Sequence, residues 1–140
     1  MEFFATAEIR LRASDLQKNV CIANLPHWCA SISKVLENQG DKGDIYCVWG
    51  EFRVHRELIR DGVRFSLPTC PNGLQWTVTV EGSAPVGQAQ IHCTINRREQ
   101  APEFIESLEQ FVADWKAGLE GGMAQPGGRT AVGECMPWYG

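Results

Sequence analysis

Five successive stretches between Ile45 and Ile95 carry an apolar residue at every second place, and this alternation restricts the fold more than any other feature of the chain. They are Ile45-Cys47-Trp49, Phe52-Val54-Leu58, Val63-Phe65-Leu67, Leu74-Trp76-Val78-Val80 and Ala89-Ile91-Cys93-Ile95, with Glu, Arg, Gln, Thr, Ser or His between. Successive side chains of an extended chain point to opposite faces, so each stretch reads as a strand with one greasy and one wet side. Consecutive strands of this kind make an antiparallel meander. The breaks agree, since Gly50, Asp61-Gly62, Pro68 to Gly73 and Gly82 to Gly87 fall between the stretches. Asp61-Gly62 is the best hairpin turn in the chain, and the loop holding Pro68 and Pro71 reads as rigid.

A sixth strand opens the chain, where Phe3, Ala5, Ala7, Ile9 and Leu11 alternate with Glu2, Thr6, Glu8, Arg10 and Arg12, and Phe4 alone breaks the polar set. Ser14-Asp15 then offers a cap for a short helix carrying Leu16, Val20, Cys21 and Ala23. That helix should stop before Pro26, because the residue ahead of proline is pushed out of helical geometry. A second short helical turn is expected through His27, Trp28, Cys29 and Ile32. Ser33 to Asn38 is a weak strand, and Gln39 to Asp44 a turn in which glycines admit positive φ.

The last element starts at Pro102, with Glu103 and Glu106 at the positive end of the helix dipole. Phe104, Ile105, Leu108, Phe111, Val112, Trp115 and Leu119 recur at helical spacing and form one broad apolar stripe on a helix of about seventeen residues. The stripe needs a partner and the sheet needs a cover. The expected fold is therefore α+β: an antiparallel sheet of about six strands with the long C-terminal helix packed on its apolar face, and two short helices after the first strand. Residues 1–120 form this single domain. Residues 121–140 read as a Gly/Pro-rich linker with an aromatic end, Met136-Pro137-Trp138-Tyr139.

With 140 residues, 44% of them hydrophobic and 21% charged, the chain has apolar surface enough to fold without staples. A net charge of -4 with scattered arginines argues against nucleic acid as a partner, because phosphate binding needs a concentrated positive footprint. No stretch approaches the roughly 18 apolar residues of a membrane span, and Met1-Glu2-Phe3-Phe4 lacks the pattern of a signal peptide, so no membrane partner and a cytoplasmic location are expected. Six cysteines, Cys21, Cys29, Cys47, Cys70, Cys93 and Cys135, show no CxxC pair and no repeated ligand spacing. In a reducing compartment such thiols act as small buried hydrophobes.

Reactive-looking groups are few. His27 and Cys29 sit two apart, which on a helical turn points them away from each other, so Trp28 as a core plug is the plainer reading. His92 and Cys93 are neighbours on a strand and face opposite sides. A metal site from His55 and His92 would require adjacent strands in register. Cys70-Pro71 reads as part of a rigid turn. No paired carboxylates, phosphate-cradling glycine loop, GxSxG or HExxH is present. No catalytic residue, metal or cofactor is implied, and the enzyme reading rests only on unplaced polar groups such as Tyr46, His92, Arg56 and Cys70.

The aromatic content of the apolar face is more telling. Trp49, Phe52, Phe65, Trp76, Phe104, Phe111 and Trp115 either fill the space between sheet and helix or line a cavity there. The segments Asn24-Leu25-Pro26-His27-Trp28 and Phe104-Ile105-Glu106-Ser107-Leu108-Glu109-Gln110-Phe111-Val112-Ala113-Asp114-Trp115 resemble those of the START/Bet v 1-like helix-grip superfamily, with which the order of elements from Met1 to about Glu120 also agrees. The resemblance implies a hydrophobic ligand held between sheet and helix. The expected function is binding of an apolar small molecule or lipid-like group by those seven rings. The alternative is an accessory or interaction subunit, for instance a homodimer, docking through Trp138 and Tyr139.

Overall fold

Residues 1–81 and 87–122 are described by the structure, a computed structural model. The alternating stretches become strands β1 (Glu2–Glu8), β2 (Ile32–Asn38), β3 (Lys42–Cys47), β4 (Gly50–Ile59), β5 (Gly62–Ser66), β6 (Gln75–Thr79) and β7 (Gln88–Thr94). They form one seven-stranded antiparallel sheet in the order β1-β7-β6-β5-β4-β3-β2. The meander runs from β2 to β7, and the first strand returns to lie beside the last, with Phe3 opposite Cys93 and Ala5 opposite Ile91.

The count is seven rather than about six because the weak stretch at Ser33 to Asn38 is a full edge strand. Its pairing with β3 slips between Ile32 and Lys34 and again between Val35 and Glu37. Each slip inserts a residue and reverses which face the next side chain takes, which destroys the period of two that marks a strand in sequence.

The hairpin predicted at Asp61-Gly62 is present with a different loop. Ile59 pairs with Gly62, so Arg60 and Asp61 make the turn and Gly62 begins β5. A Cβ on Gly62 would lie 2.0 Å from the Val78 carbonyl oxygen, so glycine there serves close backbone approach rather than turning.

All helices lie on the same, apolar face. Helix α1 (Ala13–Asn19) is followed by a 3-10 turn (Ile22–Asn24) and the single turn α2 (Leu25–Trp28). The first helix thus ends at Asn19, short of Ala23, and Pro26 starts a helical turn instead of only closing one, a role its fixed φ and missing N–H suit. The Asp15 carboxylate accepts the Arg12 N–H at 2.8 Å, which caps α1 at its start. At its end, Arg56 of β4 donates to the carbonyl oxygens of Val20 (2.9 Å) and Gln17 (2.6 Å), groups a helix C-terminus leaves unmatched.

The apolar stripe of the last helix, α3 (Pro102–Gly122), crosses the sheet and buries Leu108, Phe111, Val112, Trp115 and Leu119. It extends two residues into the segment read as linker. Its C-terminal half meets α2, where a Cβ on Gly118 would stand 1.8 Å from the Trp28 carbonyl oxygen. Trp28, Trp76, Trp115, Phe65 and Phe111 are the largest fully buried side chains. Burying each such ring contributes about 1.5–3 kcal/mol. An antiparallel sheet with a long C-terminal helix fits a helix-grip-like fold. Among the described residues no helix is long and apolar enough to cross a membrane. The aromatic end at Trp138 and Tyr139, and most of the turn at Gly82 to Gly87, lie outside the described residues.

Candidate functional site

Where the N-terminal turn of α3 passes over the ends of β3, β4 and β6, the packing leaves a recess of about 180 Å³. Its walls are Trp49, Phe52, Leu67, Leu74 and Phe104, and its rim is the loop residues Cys70, Pro71 and Asn72. None of these carries a charge. For scale, an apolar cavity of about 150 Å³ stays dry and accepts benzene.

Each wall is placed for a local reason. Trp49 sits in the two-residue hairpin between Cys47 and Gly50, where Gly50 takes φ 117°, a conformation that glycine alone adopts cheaply. The turn carries the indole inward, and its Nε1–H donates to Ser107 Oγ at 2.8 Å. Ser107 Oγ in turn donates to the Phe104 carbonyl at 2.6 Å, so hairpin and helix are latched together. Trp49 meets Phe104 edge to face, with centroids 5.9 Å apart.

The opposite rim is held by backbone. Cys70 N–H donates to Leu67 O and Gly73 N–H to Cys70 O, both at 3.0 Å, while Leu67 N–H donates to Leu74 O. Asn72 is tied from two sides: its carbonyl accepts Asn96 N–H and its Oδ1 accepts Gln100 Nε2, each at 2.8 Å. These bonds tie the loop expected to be rigid to its own ends and to the segment at Asn96 to Gln100.

Of the seven rings assigned to a ligand wall, Trp49, Phe52 and Phe104 border the recess. The other four stack on one another beneath α3. Phe65 lies parallel to Trp76 at 5.3 Å, Phe111 meets Trp76 nearly at right angles at 4.9 Å, and Trp115 closes the group 6.2 Å from Phe65. Leu67, Leu74, Cys70, Pro71 and Asn72 are not among the seven rings expected to hold a ligand, although Cys70 is one of the polar groups of the enzyme reading. Leu67 and Leu74 follow the inward alternation of β5 and β6, but nothing in the sequence shows that the loop folds back over them.

Apart from Cys70, the reactive-looking groups lie elsewhere. Cys29 is buried, its thiol donates to the Phe111 carbonyl at 3.8 Å, and burial pushes its pKa far up. His27 packs edge-on against Trp28. His92 sits on the outer face, stacked on Phe4 at 4.4 Å and 2.8 Å from Glu2. His55 stands three strands away from it in the sheet order. Burial raises Cys47, and pushes Cys93 up to about 12. Of Tyr46, His92, Arg56 and Cys70, only Cys70 borders the recess. A second hollow, of about 370 Å³ between β1 and α3, is open and carries Glu2, Glu109 and Lys116.

The chain matches no protein-family model, and a search of the curated proteins finds no match.

Proposed function

We propose that this domain binds a small apolar group, about one ring in size, in the recess between the α3 N-terminus and the loop from Leu67 to Leu74. The observation that carries the reading is an uncharged hollow of about 180 Å³ walled by three aromatic and two leucine side chains, one of them fixed to α3 through Ser107. Removing seven carbons, a benzene ring with one methyl, from water at about 0.8 kcal/mol per carbon gives at most roughly 5–6 kcal/mol, so the tightest Kd is on the order of 0.1 mM. The START/Bet v 1-like resemblance points the same way, since members of that superfamily hold hydrophobic ligands between sheet and helix. A longer lipid-like chain would lie with one end in the recess and the rest along its open side.

Titrating the full chain with toluene by tryptophan fluorescence tests this. Wild type should saturate at sub-millimolar to millimolar concentration, and Cys70→Phe, which fills the rim from a half-buried position, should bind at least tenfold more weakly while unfolding at an unchanged temperature. Equal affinity in both proteins would place the ligand elsewhere and sink the reading.

A further inference from the structure

The two edges of the sheet are unlike. The β2 edge is interrupted by two register slips and carries Lys34, features that discourage a further strand from adding. The β1 edge has neither, since it pairs with β7 in unbroken register from Glu2 to Glu8 and holds no lysine or proline. Ile95 N–H donates to Met1 O at 3.1 Å and Ile9 N–H to Gly87 O at 3.0 Å, so the odd residues of this strand turn their backbone groups to β7. In an antiparallel ladder the even residues then turn theirs outward. Glu8 N–H does so, donating to Glu120 Oε2 at 2.8 Å. Among the described residues nothing meets the outward N–H and C=O groups of Glu2, Phe4 and Thr6.

The open hollow of about 370 Å³ lies along this edge, with Phe3, Ala5, Val112 and Ala113 as its apolar part and Glu109 and Lys116 on its helix side. The bond from Glu8 to Glu120 sets the level of strand against helix. Four residues back along β1 is about 14 Å, which is about nine residues back along a helix, so Phe4 stands level with residues 111–113. Phe4 is 54% exposed, the one apolar side chain in the polar set of its strand. The Glu109 carboxylate has no partner among the described residues, while Lys116 holds Glu120 at 2.6 Å.

We infer that two copies of this chain pair through β1, antiparallel about a two-fold axis at Phe4, so that their sheets join into one. In that register Glu2 of each copy lies opposite Thr6 of the other and Phe4 opposite Phe4, which matches every outward backbone group of Glu2, Phe4 and Thr6. Shifting it by two residues either leaves Thr6 unmatched or sets Glu2 against Glu8, whose N–H is already taken. The two exposed Phe4 rings become cross-strand neighbours and cover each other. The same axis sets Glu109 against Lys116 of the second copy, and Lys116 against its Glu109, because the two lie nearly equally far on either side of the level of Phe4. A patch that is its own complement under a two-fold axis is what a closed dimer requires. No residue of the recess takes part, so the pairing stands apart from the ligand reading.

Sedimentation equilibrium of the full chain tests this. The mass should rise with concentration from 15.6 kDa toward twice that value. Thr6→Pro removes an outward N–H and none of the bonds to β7, a substitution that an edge strand tolerates, and it should abolish the dimer with the monomer still folded. Glu109→Lys and Lys116→Glu each set like charges together at both ends of the interface and should weaken it about tenfold or more. An equimolar mixture of those two variants restores both attractive pairs and should associate within about threefold of wild type. The charge variants decide the matter should Thr6→Pro fail to fold. A wild-type chain that stays at 15.6 kDa at millimolar concentration overturns the inference. So does a dimer that folded Thr6→Pro leaves intact, or a mixture of the charge variants that associates no better than either alone.

Discussion

Replacing Gly118 by alanine should destabilise the protein, against the usual effect of that substitution in a helix. Alanine is favoured over glycine inside a helix by about 1 kcal/mol. At Gly118, however, the added Cβ would stand 1.8 Å from the Trp28 carbonyl oxygen, and 2.5 Å from its carbon. Both are backbone atoms, so no side chain can swing aside. Helix α3 would have to retreat by more than about 1 Å, loosening Trp115 and Leu119 from the sheet at the overpacking cost of about 3 kcal/mol. The net loss is about 2 kcal/mol. With a urea slope of about 1–3 kcal/mol per molar, the unfolding midpoint should fall by about 1 M at unchanged slope. Gly121 is the control, because a Cβ there has nothing within 4 Å. Gly121→Ala should leave the midpoint unchanged or raise it by a few tenths of a molar. A Gly118→Ala protein as stable as wild type would refute the close crossing of α3 on α2 and the helix placement built on it.

Trp115→Ala should cost about 3–5 kcal/mol in urea unfolding, whereas Trp115→Phe, which keeps a ring and removes an indole N–H with no partner, should stay within about 1 kcal/mol of wild type. A large loss in the phenylalanine variant would mean that the N–H is matched after all. Arg56→Met should lower stability by about 2 kcal/mol by leaving the Gln17 and Val20 carbonyls without their donor, and amide exchange in α1 should quicken. Stability should also fall as pH rises above about 9. Burial holds the folded Cys93 pKa at about 12 against the 9.0 of an exposed thiol, so the unfolded chain releases a proton that the folded one keeps. The stability due to Cys93 is present in full below that window and is lost at about 1.4 kcal/mol per pH unit across it, so Cys93→Ala should reduce the slope of the urea-midpoint profile between pH 9 and 11, the buried Cys29 and Cys47 supplying part of the rest. An unchanged slope in that variant would show that the thiol ionises as easily folded as unfolded.

The parts of the fold that were legible in sequence are those where one rule acts alone. From Ile45 to Ile95 each strand has a core face and a solvent face, so period two survives and the meander follows from it. The α3 stripe is legible for the same reason at period 3.6. Illegibility begins where a second demand enters. The register slips of β2 scramble alternation at Lys34 to Glu37. Arg56 occupies an inward position on β4 because helix carbonyls await it there, a partnership set by tertiary contact. Gly62 looks like a turn residue until the approach of Val78 is seen. The candidate site divides in the same way: Trp49, Phe52 and Phe104 belong to an apolar pattern, whereas Cys70, Pro71 and Asn72 border the recess through loop hydrogen bonds that leave no periodic trace. Nor does composition distinguish a ring that lines a hollow from one, such as Phe65 or Trp76, that stacks on its neighbours.

Intermolecular nuclear Overhauser effects from bound toluene to the labelled full chain test the central claim most directly. Cross-peaks should reach the ring protons of Trp49, Phe52 and Phe104 and the methyls of Leu67 and Leu74. Cross-peaks confined to the outer sheet face, around Phe4 and His92, or none at a concentration that saturates the fluorescence change, would contradict it.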